Sequence, residues 1–246
     1  MPESRKAVDG MVPPSLGIYD EEETQSVKLG TRVEFDDGSV FRYVHDDGTG
    51  IAVGMLVQYG GTVKDIDASD PVISVTNYDG TSSEYPWIEF TSGSTDLTAH
   101  AYDNGFFVVD SGTGAAQRRK IRENTASIVK LYDPLITAVT ASSHGHLIPN
   151  PYEDVKLSTA SGSSVGLILG VTVRAITAGY YAWIQTRGWA VVQDTATPAQ
   201  GIPLIQGTTA GKTLELAEDT FGQVIAVPPY TSGTNGDAML VYLKCE

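Results

Sequence analysis

The stretch VTVRAITAGYYAWIQTRGWAVVQD, residues 171–194, decides the fold. Val171, Val173 and Ala175 share one side of an extended chain, and Tyr181, Trp183 and Gln185 stand opposite Tyr180, Ala182 and Ile184. A period of two marks a strand, because successive side chains of extended backbone point to opposite faces. Arg187-Gly188 is expected to turn a hairpin whose two arms carry Trp183 and Trp189.

The same pattern extends in both directions. TRVEF runs through Asp36-Asp37-Gly38 into SVFRYV, and Asp46-Asp47-Gly48 leads into GIAVGMLVQY. Asp-Gly between apolar runs is a strong hairpin signal. Further strand-like runs are VISVT (72–76), PWIEF (86–90), GFFVV (105–109), KIRE (120–123), SIVKLY (127–132), IPLIQ (202–206), KTLEL (212–216), QVIAV (223–227) and AMLVYLK (238–244). No sustained apolar stripe of helical period occurs, and 26 glycines and 12 prolines are spread along the chain. The expected fold is all-β, with short antiparallel strands forming a barrel- or sandwich-like body.

Residues 1–30 stand apart, with Pro13-Pro14, the acidic run Asp20-Glu21-Glu22-Glu23 and no period. They are expected to form an extended N-terminal arm on a body of residues 31–246, with Pro13, Pro14 and Tyr19 meeting a partner. Residues 64–104 are more polar and turn-rich than their flanks and are expected to be a β insertion or loop elaboration. Residues 131–155, broken by Pro134, Pro149 and Pro151, are expected to be irregular and pinned by Leu135, Ile136, Leu147 and Ile148.

Composition limits the chemistry. The formal net charge is −14 across 246 residues, which disfavours a general nucleic-acid partner. Charged residues are only 19% of the chain, so Ser, Thr, Gly, Asn and Gln carry much of a surface suited to packing against other subunits. The single cysteine, Cys245, allows no disulfide within the chain, consistent with a reducing compartment. Neither a signal-peptide core nor an apolar run long enough to span a membrane is visible, so the protein is expected to be soluble and made in a cytoplasm.

GTTAGKT (207–213) resembles a phosphate-binding loop but is one residue short of the G-x-x-x-x-G-K spacing that lets successive amides surround phosphates. It is expected to be a hairpin connection with Lys212 exposed at its exit. Asp110-Ser111-Gly112-Thr113-Gly114 begins a dinucleotide-loop pattern, but Gln117 stands at the third glycine position and a tight loop is the expectation. His144-Gly145-His146 lacks further metal-ligand spacing and is expected to be a polar turn; no metal and no cofactor is expected. No local catalytic signature is present and no catalytic residue is assigned. Arg118, Arg119, Lys120 and Arg122 form the one basic cluster, either a charged strand face or salt-bridge partner for an acidic neighbour, or a phosphate or nucleic-acid patch. Trp183 and Trp189 belong either to the core or to a sugar-stacking surface, the latter implying a carbohydrate-binding module.

Read together, SVFRYVHDDGTGIAVGMLVQ, RENTASIVKLYDPLITAV, HLIPNPYEDV, LGVTVRAITAGYYAWIQTRGWAVVQD and GIPLIQGTTAGKTLEL, followed by QVIAV, form an order that resembles structural proteins of tailed phages, in particular capsid decoration (cement) proteins. The likeness covers roughly residues 31–57 and 105–246 and includes Ala178–Gln185 followed by a Gly-x-Pro-Leu segment. It implies a non-enzymatic protein made in the host cytoplasm that binds the outer capsid surface of the virion. There it would act as a homotrimer on the major capsid protein, bridging and stabilising neighbouring subunits. Nucleic acid, membrane and small-molecule substrate are not expected partners. A head-fibre base or a tail protein is the neighbouring alternative.

Overall fold

The computed structural model describes residues 7–9, 17–66, 72–76, 87–90, 97–160, 166–217, 223–231 and 238–246. Its strands are β1 (Ala7–Asp9), β2 (Glu21–Glu22), β3 (Arg32–Phe35), β4 (Val40–His45), β5 (Leu56–Gln58), β6 (Lys64–Ile66), β7 (Val72–Thr76), β8 (Trp87–Phe90), β9 (Phe106–Ser111) and β10 (Gln117–Asn124). They continue with β11 (Ile128–Leu131), β12 (His144–Ile148), β13 (Lys156–Leu157), β14 (Ile168–Thr172), β15 (Tyr181–Gln193), β16 (Leu204–Gln206), β17 (Thr213–Glu215), β18 (Ala226–Val227) and β19 (Ala238–Lys244). The protein is all-β: among the described residues there is no helix, and every pairing between these strands is antiparallel.

The chain divides into two compact units. One comprises Met1–Gly60 and Pro151–Glu246, the other Gly61–Asn150. The inserted unit thus begins near the expected insertion at 64 but continues well past 104, taking in the GFFVV, QRRKIR and SIVKLY strands. Its point of insertion has a physical logic. β5 and β13 pair in register, Gln58 with Lys156 and Val57 with Leu157, so the two chain ends entering and leaving the insertion are already adjacent. Inserting a folded unit at such a point costs little beyond loop closure.

The first unit holds a twelve-stranded curled sheet whose main path runs β1-β3-β4-β15-β19-β18-β16-β17. β15 is its axis: it pairs with β4 from Tyr181 to Arg187 and with β19 from Arg187 to Gln193, and β2 and β14 pair with its first half. The expected hairpin at Arg187-Gly188 is therefore one continuous strand of 13 residues. The reason is a bulge. Between Gln185 and Arg187 the register against β4 slips by one residue, since Gln185 faces Phe41 and Arg187 faces Val40. Gly188 absorbs the distortion with φ of +90°, and a Cβ there would lie 2.9 Å from the Ser39 Cα. Turn and bulge draw on the same glycine chemistry, and pairing with β19 selects the bulge.

The slip also reverses the alternation. Residues before it are buried on both sides: Ala182 and Ile184 enter a cluster with Val44, Val57, Val155 and Ile176, while Trp183 enters another with Ile18, Val33, Phe35, Phe41 and Tyr43. Residues after it alternate, with Ala190 and Val192 inward and Trp189 and Val191 outward.

Of the N-terminal arm, Ala7–Asp9 pairs with β3 as β1, and residues 17–30 lie against this sheet. Ile18 is buried in the Trp183 cluster, and Val27 and Leu29 pack beside it. Two residues of the acidic run fasten it. Glu21 takes Arg174 at 2.8 Å and the Thr177 amide at 2.7 Å, and Glu22 accepts the Tyr43 hydroxyl and the Ser26 amide. Burial, with the Glu22 carboxylate as hydrogen-bond partner, pushes the Tyr43 phenol up.

The second unit holds a seven-stranded sheet, β6-β12-β9-β10-β11-β8-β7, over its own core, which includes Ile88, Phe107, Ile121, Val129, Leu131 and Leu147. The irregular backbone expected across 131–155 is corrected here. His144–Ile148 is β12, paired on both edges with β6 and β9. Gly145 allows this fit: a Cβ there would sit 2.1 Å from the Val108 carbonyl oxygen.

Two outcomes follow from this packing. Trp183→Ala should lower the unfolding free energy by about 3–5 kcal/mol and Trp189→Ala by under about 1 kcal/mol, read by urea denaturation. Replacing 61–150 with a short Gly-Ser linker should leave the first unit folded, with cooperative unfolding and an intact near-ultraviolet spectrum; a molten product would show that β5 and β13 do not hold their register unaided.

Candidate functional site

Beyond the bulge the outward side chains of β15 and β19 meet in register. Trp189 faces Tyr242 and Val191 faces Leu240, with Arg187 opposite Lys244 at one end. Trp189 is 50% exposed, Val191 51% and Leu240 40%. The Trp189 and Tyr242 rings contact edge to face with centroids 5.4 Å apart, which fixes both. Tyr230, also exposed, accepts the Leu240 amide through its hydroxyl at 3.1 Å and extends the patch. The sequence carried a signal for this surface. AMLVYLK is apolar at both parities, and only one parity enters the core, where Met239, Val241 and Leu243 are buried. Contiguous apolar area on a rigid sheet is the usual mark of a protein-protein contact.

Trp183 has no part in that surface. It is wholly buried, so the proposed pair of sugar-stacking rings is reduced to Trp189.

A second surface lies in the inserted unit. Arg118, Arg119 and Lys120 of β10 line a cavity of about 400 Å³ with Phe106, Asp133 and Pro134. Arg122, the fourth cation of the cluster, is half-buried farther along β10 and does not line it. Gln117, which occupies the third glycine position of the failed dinucleotide pattern, is buried at the start of β10, outside the cavity lining. Its amide nitrogen donates to the Gly114 and Thr137 carbonyls, and its oxygen accepts the Ile136 and Thr137 amides. Three of these bonds hold the segment after β11 against β10, and the fourth ties in Gly114 of the loop before it.

The remaining candidates are accounted for locally. Tyr19 is exposed, with its carbonyl accepting Arg174; Pro13 and Pro14 lie outside the described residues. His144 and His146 share one face of β12 rather than a turn, and His146 reaches Asp65 through Nδ1 at 2.8 Å and Asp110 through Nε2 at 3.1 Å. Among the described residues no group of three His, Cys, Asp or Glu side chains is placed to hold a metal ion. Asp37 accepts the Ser39 amide and closes the first Asp-Asp-Gly turn. In the second, buried Asp46 accepts the amides of Gly48, Gly50 and Gly179 within 3.0 Å, tying the loop after β4 to the approach to β15. GTTAGKT joins β16 to β17 as a hairpin, with Gln206 opposite Thr213, and Lys212 at its exit is half-buried rather than exposed. Burial pushes the Cys245 thiol up to about 12.

Compared with protein-family models, curated proteins and solved structures, the chain matches none.

One titration ties the electrostatics to stability. The hydrogen bond from His45 to Asp154 raises the imidazole above its usual 6.5, against the opposing effect of burial. The native state therefore favours the imidazolium. Its contribution is complete below about pH 6.5 and is lost as pH rises through the raised value. Proton NMR should show His45 titrating above 6.5 and moving down in Asp154→Asn. Asn suits the left-handed backbone at that position, where φ is +51°, so the substitution should not disturb the fold.

Proposed function

We propose that this chain is a non-enzymatic structural protein of a tailed-phage virion, a capsid decoration protein made in the host cytoplasm that binds the outside of the head. The apolar row Trp189-Tyr242 and Val191-Leu240 carries the reading. It is a fixed, exposed contact surface on the central strands of the larger sheet, rimmed at one end by Arg187 and Lys244. The order of sequence phrases that resembles decoration proteins supports the same assignment. On this reading the row packs against the major capsid protein or against a sister subunit of a homotrimer. Repetition over the lattice multiplies modest individual contacts into firm attachment.

The arm's role divides at residue 16. Residues 17–30 help build the core around Trp183, so deleting residues 1–27 would remove Ile18 and Val27 and destabilise the body. A deletion that tests the contact-arm role therefore stops before Ile18, and it also removes β1, which pairs with β3.

Cosedimentation with undecorated heads of the phage that encodes the chain tests the reading, alongside a solution mass measurement for the trimer. Wild-type protein should saturate at a fixed number of copies per head. A Trp189→Ser, Leu240→Ser double variant with an unchanged unfolding midpoint should bind at least about ten-fold more weakly, as loss of a central apolar anchor implies. Absence of the chain from purified virions, or its location on the tail or a fibre base by electron microscopy, overturns the decoration assignment. Unchanged binding by the double variant overturns the role of the apolar row.

A further inference from the structure

Sixteen lysines and arginines share this chain with 30 carboxylates, and several of them are held by one. Arg32 and Arg42 reach Glu246, Arg174 reaches Glu21 and Lys130 reaches Glu123. On β10 three consecutive cations gather around one cavity. Among the described residues, no carboxylate lies within ion-pair distance of Arg118, Arg119 or Lys120, although all three line one cavity. Like charges gathered around a concave space focus a positive potential that an entering anion relieves.

These side chains are also held in place. The Arg118 guanidinium lies over the Phe106 ring, 5.0 Å from its centroid, and the Lys120 ammonium lies 5.9 Å from the centroid of Tyr132. Arg119 donates Nε to the Pro134 carbonyl at 2.5 Å and Nη1 to the Arg118 carbonyl at 2.8 Å. That leaves its Nη2 edge for a ligand. Pre-ordered guanidinium donors bind oxyanions without a further ordering cost.

The composition of the lining selects the anion. Three cations and the single carboxylate of Asp133 give a formal surplus of two positive charges. A phosphomonoester carries about −1.5 to −2 near neutral pH and offers three acceptor oxygens, matching both the charge and the number of donors. A carboxylate would use one guanidinium fork and leave the other cations unpaired. Asp133 disfavours a bare polyanion but accepts a hydroxyl from an organic group attached to the phosphate. The cavity's 400 Å³ falls in the range of small-ligand sites.

We propose that this cavity binds a small hydroxyl-bearing phosphomonoester, with Arg118, Arg119 and Lys120 taking the phosphoryl oxygens and Asp133 taking a hydroxyl of the organic part. This site is independent of the head-binding reading and lies on the other unit of the chain.

Isothermal titration of the full chain at low ionic strength tests it, with glucose 6-phosphate, glycerol 3-phosphate, inorganic phosphate, glucose and a short single-stranded DNA as probes. The sugar phosphate should bind saturably and glucose should not. Arg118→Gln and Lys120→Met alter exposed side chains and should each weaken binding by about ten-fold or more, the usual yield of a charge-assisted hydrogen bond. Lys244→Met, in the other unit, should leave binding unchanged. Asp133→Ala should bring the affinities for glucose 6-phosphate and inorganic phosphate together. Circular dichroism of each variant should match the parent, and chemical-shift changes on adding ligand should centre on β10. The proposal is overturned if no phosphomonoester binds at millimolar concentration or if the β10 variants bind as the parent does. Binding of inorganic phosphate alone would mark an adventitious ion site, and tighter binding of DNA a nucleic-acid surface; either result overturns it too.

Discussion

The structure of the larger unit depends on one extra residue in one strand. β15 is long enough to serve two neighbours in succession, β4 over its first half and β19 over its second. A strand of that length with unbroken alternation would keep Trp183 and Trp189, six residues apart, on the same face. The slip between Gln185 and Arg187 changes this. It lets the first half be enclosed from both sides, with Trp183 over one cluster and Ile184 over another, and turns Trp189 and Val191 outward. The most buried and the most exposed tryptophans of the strand thus follow from a single defect, which the positive φ of Gly188 makes possible. Covering the first half requires more chain than the sheet supplies, and Ile18, Val27 and Leu29 provide it. The acidic run then has a structural task, since Glu21 and Glu22 clamp that covering segment to Arg174, Thr177 and Tyr43.

Much of the fold was legible because its signals are local. Asp36-Asp37-Gly38 closes a hairpin through an aspartate-to-amide bond inside the turn, and the period of two in YYAWIQ separates Ala182 and Ile184 from Trp183, which enter different clusters. GTTAGKT could be recognised as a turn because a missing residue spoils the amide spacing a phosphate needs. Where reading failed, two structures shared one local signature. Arg187-Gly188 suits a turn and a bulge equally, and only the distant β19 decides between them. His144-Gly145-His146 sits among prolines and lacks β-branched residues, so nothing local marks it as a strand. Its pairing with β6 and β9 depends on Val108 approaching a glycine from across the sheet.

The surfaces follow the same division. The cations of β10 were visible in sequence, but the cavity was not, because Phe106, Asp133 and Pro134 come to it from β9 and from the segment after β11. Gln117 was noticed only as a residue that spoils a nucleotide motif. Its four hydrogen bonds give it a structural task, tying β10 to Gly114 and to Ile136 and Thr137 of the segment after β11. The apolar row was half legible: AMLVYLK has no polar face, which fits burial on both sides or a face left bare, and the bulge decides for the second.

Placing the two surfaces in separate units has a physical consequence. The inserted unit enters between β5 and β13, which pair with each other, and it closes a hydrophobic core of its own. The basic cavity and the packing around Trp183 therefore belong to units with separate cores. The apolar row needs the larger sheet to stay rigid, because Trp189 and Tyr242 are aligned by the strands beneath them. The cavity needs only β9, β10 and the segment that Gln117 holds. Each surface thus takes its geometry from the core of its own unit, and neither draws on the other's.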